Sequence, residues 1–561
     1  MTIDFAVPPD RIEDAGSRTF WPNRVLGDYL DAMVARHPGK TAIIDVRSQP
    51  GAATRMTCRM TYADLARAST RVALGLRSFG VRRGDVVSFQ LPNWWQAVAL
   101  YVACSRIGAV YNPLLPVFRS RELGFMLSLA QSRVAVIAAT FRDFDYTDMY
   151  ARLRRELPAL EHVFVIGADS PDSFERRLSE HPWEEAIDAD AIFRSMRPDP
   201  NDVAELMYTS GTTGQPKGVL HTHNTLFGML EEYNRTLGLG SDEVIMQPAP
   251  IMHQAGLLHG VLMSNMLGAT LILQEKWDVE QGIRLIEEHR ATHFQAPTPF
   301  LADLVGSPLL DKHDISSLRR FVTAGAPIPR ALVQRAADRL KADIISAWGM
   351  TEFGTPCCTR PGDPPEKIFG TDGLPTRGSE MRVVDELGEP LAANVEGRLE
   401  ARGMSKFIGY LKRPELNVFR AGGWFDTGDL ARMDEDGYVR ITGRTKDLII
   451  RGGQNIPIVE VEEQLYRHPA VREVAIAGMP DARLGERACA FVVLHPGLHL
   501  TFDEMVAYLE EKGTARPYFP ERLEIVDELP RTATGKIQKY KLRELASRFA
   551  GDYANNARQG V

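Results

Sequence analysis

Residues 205–224 read ELMYTSGTTGQPKGVLHTHN. An apolar run, ELMY, leads into a loop that holds three glycines (Gly211, Gly214 and Gly218), four hydroxyl side chains (Thr209, Ser210, Thr212 and Thr213) and one lysine, Lys217. The pattern predicts a strand, then this loop, then a helix beginning near Thr222. Glycines let backbone N–H groups approach a polyanion, hydroxyls donate further hydrogen bonds, and the lysine supplies charge. The common P-loop follows its last glycine with Lys and then Ser or Thr. Here Pro216 precedes Lys217 and Gly218 follows it, so no hydroxyl stands where that motif holds a metal ion. A flexible Ser/Thr/Gly linker is the competing reading, and linkers rarely sit between a buried strand and a helix.

On both sides of this loop, β-rich runs alternate with amphipathic stretches. RVAVIAA (133–139), HVFVIG (162–167), ATLIL (269–273) and RRFVTAG (319–325) read as strands. PRALVQRAADRL (329–340) reads as a helix before the strand ADIISAW (342–348), the order of parallel α/β units. Ala255–Gln274 lacks charged residues, but Gly268 divides it into a buried helix and a buried strand rather than a membrane span. From about Gly362 helices give way to short strands, EMRVVD (380–385) and EGRLEARG (396–403), a small β subdomain over about 362–443. After Gly443 helices return: VEVEEQLYRH (459–468) and TFDEMVAYLEE (501–511) are helical, while REVAIAGM (472–479) and RACAFVVL (487–494) are strands. The expected fold class is therefore α/β: a large N-terminal region, 1–443, of two doubly wound subdomains plus the β subdomain, and a separate α+β domain, 447–561.

The chain has 561 residues, 44% hydrophobic and 25% charged, the mix of a globular protein with a sizeable core. Its 66 Lys+Arg against 73 Asp+Glu leave a net charge of −7, without the basic excess of a nucleic-acid binder. The five cysteines form no C-x-x-C pair, so neither a zinc cluster nor a disulfide framework is expected. The acidic start, MTIDFAVPPDRIEDAG, does not read as a signal peptide, and a reducing cytoplasm is the simplest compartment.

TSGTTGQPKG resembles the signature loop of the AMP-forming adenylate enzymes: acyl-CoA synthetases, luciferases and peptide-synthetase adenylation domains. MTYADL (60–65) and RIGAVYNPLLP (106–116) match weaker motifs of that family. APIMHQAG (249–256), AWGMTE (347–352), GWFDTGDL (423–430), GRTKDLIIRGGQNI (443–456) and PRTATGKIQK (530–539) match stronger ones, in the same order. The resemblance implies two steps: a carboxylate attacks the α-phosphate of ATP to give acyl-AMP and pyrophosphate, and a thiol then displaces AMP. Both partners of the first step are anions, so catalysis there is mainly charge neutralisation and positioning.

The resemblance also implies residue roles. Lys217 and the loop from Thr209 through Gly214 would hold the β- and γ-phosphates. Glu352 would carry Mg²⁺, and Thr351 would meet the α-phosphate. Trp348 would lie on the adenine face where most members have tyrosine, with core packing as its alternative. The TAGAP run (323–327), with Ala324, Gly325 and Ala326, would line the adenine edge and the acyl pocket, together with Gly349, Met350, His253 and Gln254. His253 would be a gate beside the carboxylate; a lone histidine is otherwise a structural one. Asp429 would accept from the ribose hydroxyls, or else be a turn aspartate after Gly428. Arg444 would reach ribose or phosphate, unless it is a solvated surface arginine. Lys536 would bridge carboxylate and α-phosphate, whereas a lysine in a loop is ordinarily a surface residue. Lys446 would be the hinge on which the C-terminal domain turns between steps, or a solvated charge beside Asp447. Gly452 and Gly453 would face CoA.

The apolar segment QAGLLHGVLMSNM after His253 suits an apolar acid, and several motifs are similar to those of bacterial medium-chain fatty-acid and cyclohexanecarboxylate CoA ligases. The expected substrates are ATP, with Mg²⁺, CoA and a carboxylic acid. Nucleic acid is not expected as a partner; a homodimer is possible. Two other readings stand beside an acid–CoA ligase: an enzyme loading a separate carrier protein, and a non-catalytic nucleotide-binding member of the fold.

Overall fold

The computed structural model describes residues 19–48, 55–209, 215–326, 328–451, 454–481, 483–532 and 535–549. Two large sheets form its base. The nine-stranded sheet has a parallel centre of Asp343–Met350, Arg320–Ala324, His293–Pro297, Val244–Gln247, Thr270–Gln274 and Thr41–Ser48. Antiparallel strands close both of its edges. The seven-stranded sheet carries Val203–Thr209, Val110–Pro113, Val86–Gln90, Val134–Ala138 and His162–Ile166 in parallel. The helix Trp95–Ile107 has almost no polar face, and it is buried along nearly its whole length in the core shared by the two sheets.

Here the signature stretch departs from the sequence expectation. Lys217 lies not in the loop but at the start of a strand, Lys217–Thr222, that runs antiparallel to Val203–Thr209 with Lys217 opposite Thr209. The element is a hairpin followed by a helix, His223–Leu237, rather than one strand, a loop and a helix. The reason is burial on both faces: Leu220 packs into the core of the seven-stranded sheet, and Val219 into that of the β subdomain. Thr222 caps the helix, its hydroxyl accepting from the Thr225 N–H.

Ala255–Gln274 folds as expected, as a helical run through Leu267 followed by the strand Thr270–Gln274. No helix among the described residues is long and apolar enough to cross a membrane. The expectation that helices end near Gly362 needs one correction. A six-residue helix, Pro365–Gly370, precedes the strands, with Pro at its start supplying a preset φ. A five-stranded antiparallel sheet then spans Ser379–Val384 to Val439–Arg444.

A further five-stranded sheet begins at Ile449–Arg451, so residues 445–448 run between the two sheets. Its helices Ile458–Tyr466 and Phe502–Glu511 pack on one face, and Lys539–Ser547 on the other.

Candidate active site

Several of the sequence-derived residues lie beyond the carboxyl ends of the parallel strands, where ligands bind in open α/β sheets. Ala324 ends Arg320–Ala324, Met350 ends Asp343–Met350, and His253 and Gln254 follow the strand Val244–Gln247. Two glycines are needed for their backbone. Gly325 has φ +78°, and a Cβ on Gly349 would lie 2.2 Å from the Gly354 carbonyl oxygen. Ala326 and Thr209 lie within the described residues, partly exposed. Ser210, Gly211, Thr212, Thr213 and Gly214 fall outside the described residues, as do Gly452 and Gly453.

Asp429 is buried, and both of its oxygens are engaged. Trp348 donates its indole N–H to Oδ2 at 2.8 Å, and Arg444 Nε lies 2.8 Å from Oδ1. The Trp348 ring is buried in the core of the β subdomain, the packing reading of this residue, and its indole edge is in addition fixed on the carboxylate assigned to ribose. Arg444 is not simply solvated, since one face of its guanidinium is spent on Asp429. A carboxylate has about four lone-pair positions, so Asp429 keeps capacity for a diol.

Glu352 is buried beside Thr351. Its Oε1 accepts from the Tyr410 hydroxyl at 2.7 Å, and the Phe407 N–H donates to its backbone carbonyl at 2.8 Å. Burial pushes its carboxyl up, while Tyr410 and the charges of Lys217 and Arg444 oppose that. The Lys217 ammonium sits 4.7 Å from the centroid of the Tyr410 ring. Lys217 and Tyr410 also line a cavity of about 270 Å³ with Arg398, Arg420, Phe425 and Asp426.

Lys536 arrives from the C-terminal sheet's side on a tight loop. Thr532 N–H donates to the Lys536 carbonyl, Lys536 N–H to Thr532 Oγ1, and Arg531 reaches the Gly535 carbonyl at 2.7 Å. Arg531 is itself ion-paired with Glu473. Gly535 abuts Pro297, Pro299 and Phe300 of the N-terminal region, which places this loop against the site. The Lys536 side chain is partly buried, and its pKa falls to about 8, first through loss of water, then through the charges of Arg444 and Lys446, against the pull of Asp429 and Asp447. His253 is held at about 4 by burial and by the Lys536 charge. The Lys446 pKa is lowered by burial, Lys217 and Arg444. Lys446 thus feels Lys217 and Arg444, and Lys536 feels Arg444 and Lys446, a run of positive charge suited to a polyanion.

Three residues were missed from sequence. His221 bonds the Thr351 carbonyl through Nε2 at 2.8 Å and Thr225 through Nδ1. Nothing in GVLHTHN marks which histidine faces the site. Tyr410 gives no local signal either. Glu205 does, as a lone carboxylate in an apolar strand. It is buried at about pKa 8, with the Gln254 amide 3.5 Å from Oε2 and no partner on Oε1 among the described residues.

The AMP-binding enzyme model matches residues 30–411, and the AMP-binding enzyme C-terminal domain matches 460–536. The medium-chain fatty-acid–CoA ligase of Escherichia coli is 35% identical over 93% of this chain and 91% of its own. The anthranilate CoA ligase AuaEII, in complex with anthranoyl-AMP, superposes with a TM-score of 0.83 at 26% identity, over 95% of this chain and 99% of that one. ATP-bound MatB from Rhodopseudomonas palustris gives 0.81 at 28% identity, over 94% of this chain and 100% of that one; its apo form gives 0.70. With the site geometry and matches spanning both parts of the molecule, the chain belongs to the family of AMP-binding enzymes, among whose members similar to it are acyl-CoA ligases.

Proposed function

We propose that this protein is an ATP-dependent acid–CoA ligase acting on an apolar carboxylic acid. In the first step a carboxylate oxygen attacks the α-phosphorus, and the bond to the pyrophosphate oxygen breaks. In the second, the CoA sulfur attacks the acyl carbon, the thiol proton is lost, and the bond to AMP breaks. The observation that carries this reading is the placing of cations around two buried carboxylates, Arg444 ion-paired with Asp429 and acted on together with it by Lys446 and Lys536, and Lys217 joined to Glu352 through Tyr410.

Lys536 neutralises the repulsion between carboxylate and α-phosphate, and a preorganised charge contact of this kind is worth about 3–4 kcal/mol. Lys217, with the loop 209–214, holds the β- and γ-phosphates. Asp429 takes the ribose, braced by Trp348 and Arg444. His253, neutral at physiological pH, stands beside Lys536 at the carboxylate. Ala324, Gly325, Gly349 and Met350, small or apolar, border the acyl group with Gln254. Gly452 and Gly453 meet CoA.

The donor set fits Mg²⁺. Among the described residues no group of three or more His, Cys, Asp or Glu side chains could cage a metal, and Glu352 offers one buried carboxylate with Oε1 pinned. Mg²⁺ is ordinarily held by one or two carboxylates plus substrate phosphates. When bound, it would neutralise charge on the triphosphate. The division of the chain at Lys446, into 1–443 and 447–561, belongs to the same reading. So does a cytoplasmic setting, supported by five unbridged cysteines.

Pyrophosphate release should be measured across straight-chain, alicyclic and aromatic acids, with and without CoA. We expect greatest turnover with a medium-sized apolar acid and thioester product with free CoA. Turnover with amino acids alone, or acyl-AMP that never passes to CoA, overturns the reading.

A further inference from the structure

Tyr410 touches both charged groups assigned to the triphosphate. It lies on the two-residue strand Gly409–Tyr410, which pairs antiparallel with Lys217–Thr222, Tyr410 opposite Val219. That register sets its ring diagonally below Lys217, 4.7 Å from the ammonium. Its hydroxyl reaches Glu352 Oε1 at 2.7 Å. The residue is 3% exposed, and its own placement is over-determined. Asn417 accepts its backbone N–H at 2.9 Å, Phe407 packs edge-on with ring centroids 4.8 Å apart, and Ile408 and Leu411 donate to the Leu220 and Gly218 carbonyls. The same segment fixes the Glu352 main chain through Phe407 N–H.

We propose that Tyr410 is a positioning residue that fixes the metal-binding carboxylate of Glu352 and the phosphate-binding ammonium of Lys217 relative to one another. The two contacts suit that task. A phenol donor on Oε1 locks the carboxylate rotamer while leaving Oε2 for a cation. A ring face attracts an ammonium without consuming any of its three N–H donors, so all three stay available to phosphate. Partners that orient a metal ligand in this way commonly change metal affinity 10–100-fold when removed.

The inference rests on the roles given to Glu352 and Lys217 above, and its test separates the two. Tyr410→Phe removes the hydroxyl and keeps the ring; Tyr410→Leu removes both; Glu352→Gln is the control. Mn²⁺ affinity is read by EPR in the presence of a non-hydrolysable ATP analogue. The Mg²⁺ dependence of pyrophosphate release and the KM for ATP at saturating Mg²⁺ are measured alongside. We expect Tyr410→Phe to weaken Mn²⁺ binding about tenfold, raise the half-saturating Mg²⁺ by the same factor, and leave KM for ATP within about twofold, at an unchanged melting temperature. Tyr410→Leu should add a severalfold rise in KM for ATP. Mn²⁺ affinity unaltered in Tyr410→Phe but weakened in Glu352→Gln overturns the role of Tyr410 alone. Affinity unaltered in both overturns the assignment of the metal to Glu352. A lowered melting temperature in Tyr410→Phe with unchanged metal affinity marks the residue as structural only and also overturns the inference.

Discussion

The indole N–H of Trp348 donates to Oδ2 of Asp429 at 2.8 Å across 81 residues of sequence, and Arg444 holds the other oxygen. A residue whose expected contribution was its ring face packs that ring in the core and holds Asp429 by its edge. Together the indole and the guanidinium turn the carboxylate and balance its charge.

Trp348→Phe keeps a ring and loses that donor. Hydrogen bonds to charged groups contribute about 1.5–3 kcal/mol, so KM for ATP should rise about tenfold or more. Steady-state pyrophosphate release at saturating acid measures it. A KM within twofold of the parent would mean that the contact does not order Asp429 for the nucleotide.

Lys536→Ala should slow acyl-AMP formation at least about a hundredfold and spare thioester formation from preformed acyl-AMP. In the second half-reaction the two anions no longer have to meet. Single-turnover assays of each half-reaction separate the effects, and equal losses in both count against the assigned role.

The Lys536 amine, its pKa lowered to about 8 by loss of water, is charged below that value and neutral above it. Its surroundings are the cations Arg444 and Lys446, the anions Asp429 and Asp447, and a neutral His253. Only the charged form offsets two anions, so kcat/KM for adenylation should fall as pH rises through about 8. Bound anions pull the amine's pKa upward, so the limb in kcat should lie at higher pH. Lys536→Arg, with a guanidinium that stays protonated, should abolish the limb between pH 7 and about 9.5. A falling limb that persists in that variant points to another group.

Lys446 is the third residue of the turn closed by the Asp447 N–H on the Arg444 carbonyl at 3.0 Å, between the last strand of the β subdomain and the first strand of the C-terminal sheet. Proline there fixes φ and is disfavoured at that turn position if the backbone must change. Lys446→Pro should slow the thioester step severalfold more than adenylation. An unchanged second half-reaction would remove Lys446 as the pivot.

Part of the candidate site was legible because its chemistry is local: a loop of glycines, hydroxyls and one lysine reads as an anion cradle within a few residues. Glu352 and Lys536 were legible only through the resemblance of AWGMTE and PRTATGKIQK to family motifs, since a lone lysine in a loop is ordinarily a surface residue. The hairpin at Lys217–Thr222 was not legible. GVLHT has no two-residue alternation, because it is buried on both faces and closed by Gly409–Tyr410. Glu205 is visible in the sequence as a carboxylate in an apolar strand, but its neighbour Gln254 lies 49 residues away and no local pattern joins them.

By itself the sequence determined the order of elements, the sheet-and-helix alternation and the kinds of charge available. Those follow from short-range pattern and side-chain chemistry. Only the tertiary structure decided that Tyr410 holds Glu352 across 58 residues, that His221 holds Thr351 across 130, and that Trp348 turns Asp429. Such pairs are set by strand register and by the packing of one sheet against another. No periodicity in a chain relates positions so far apart.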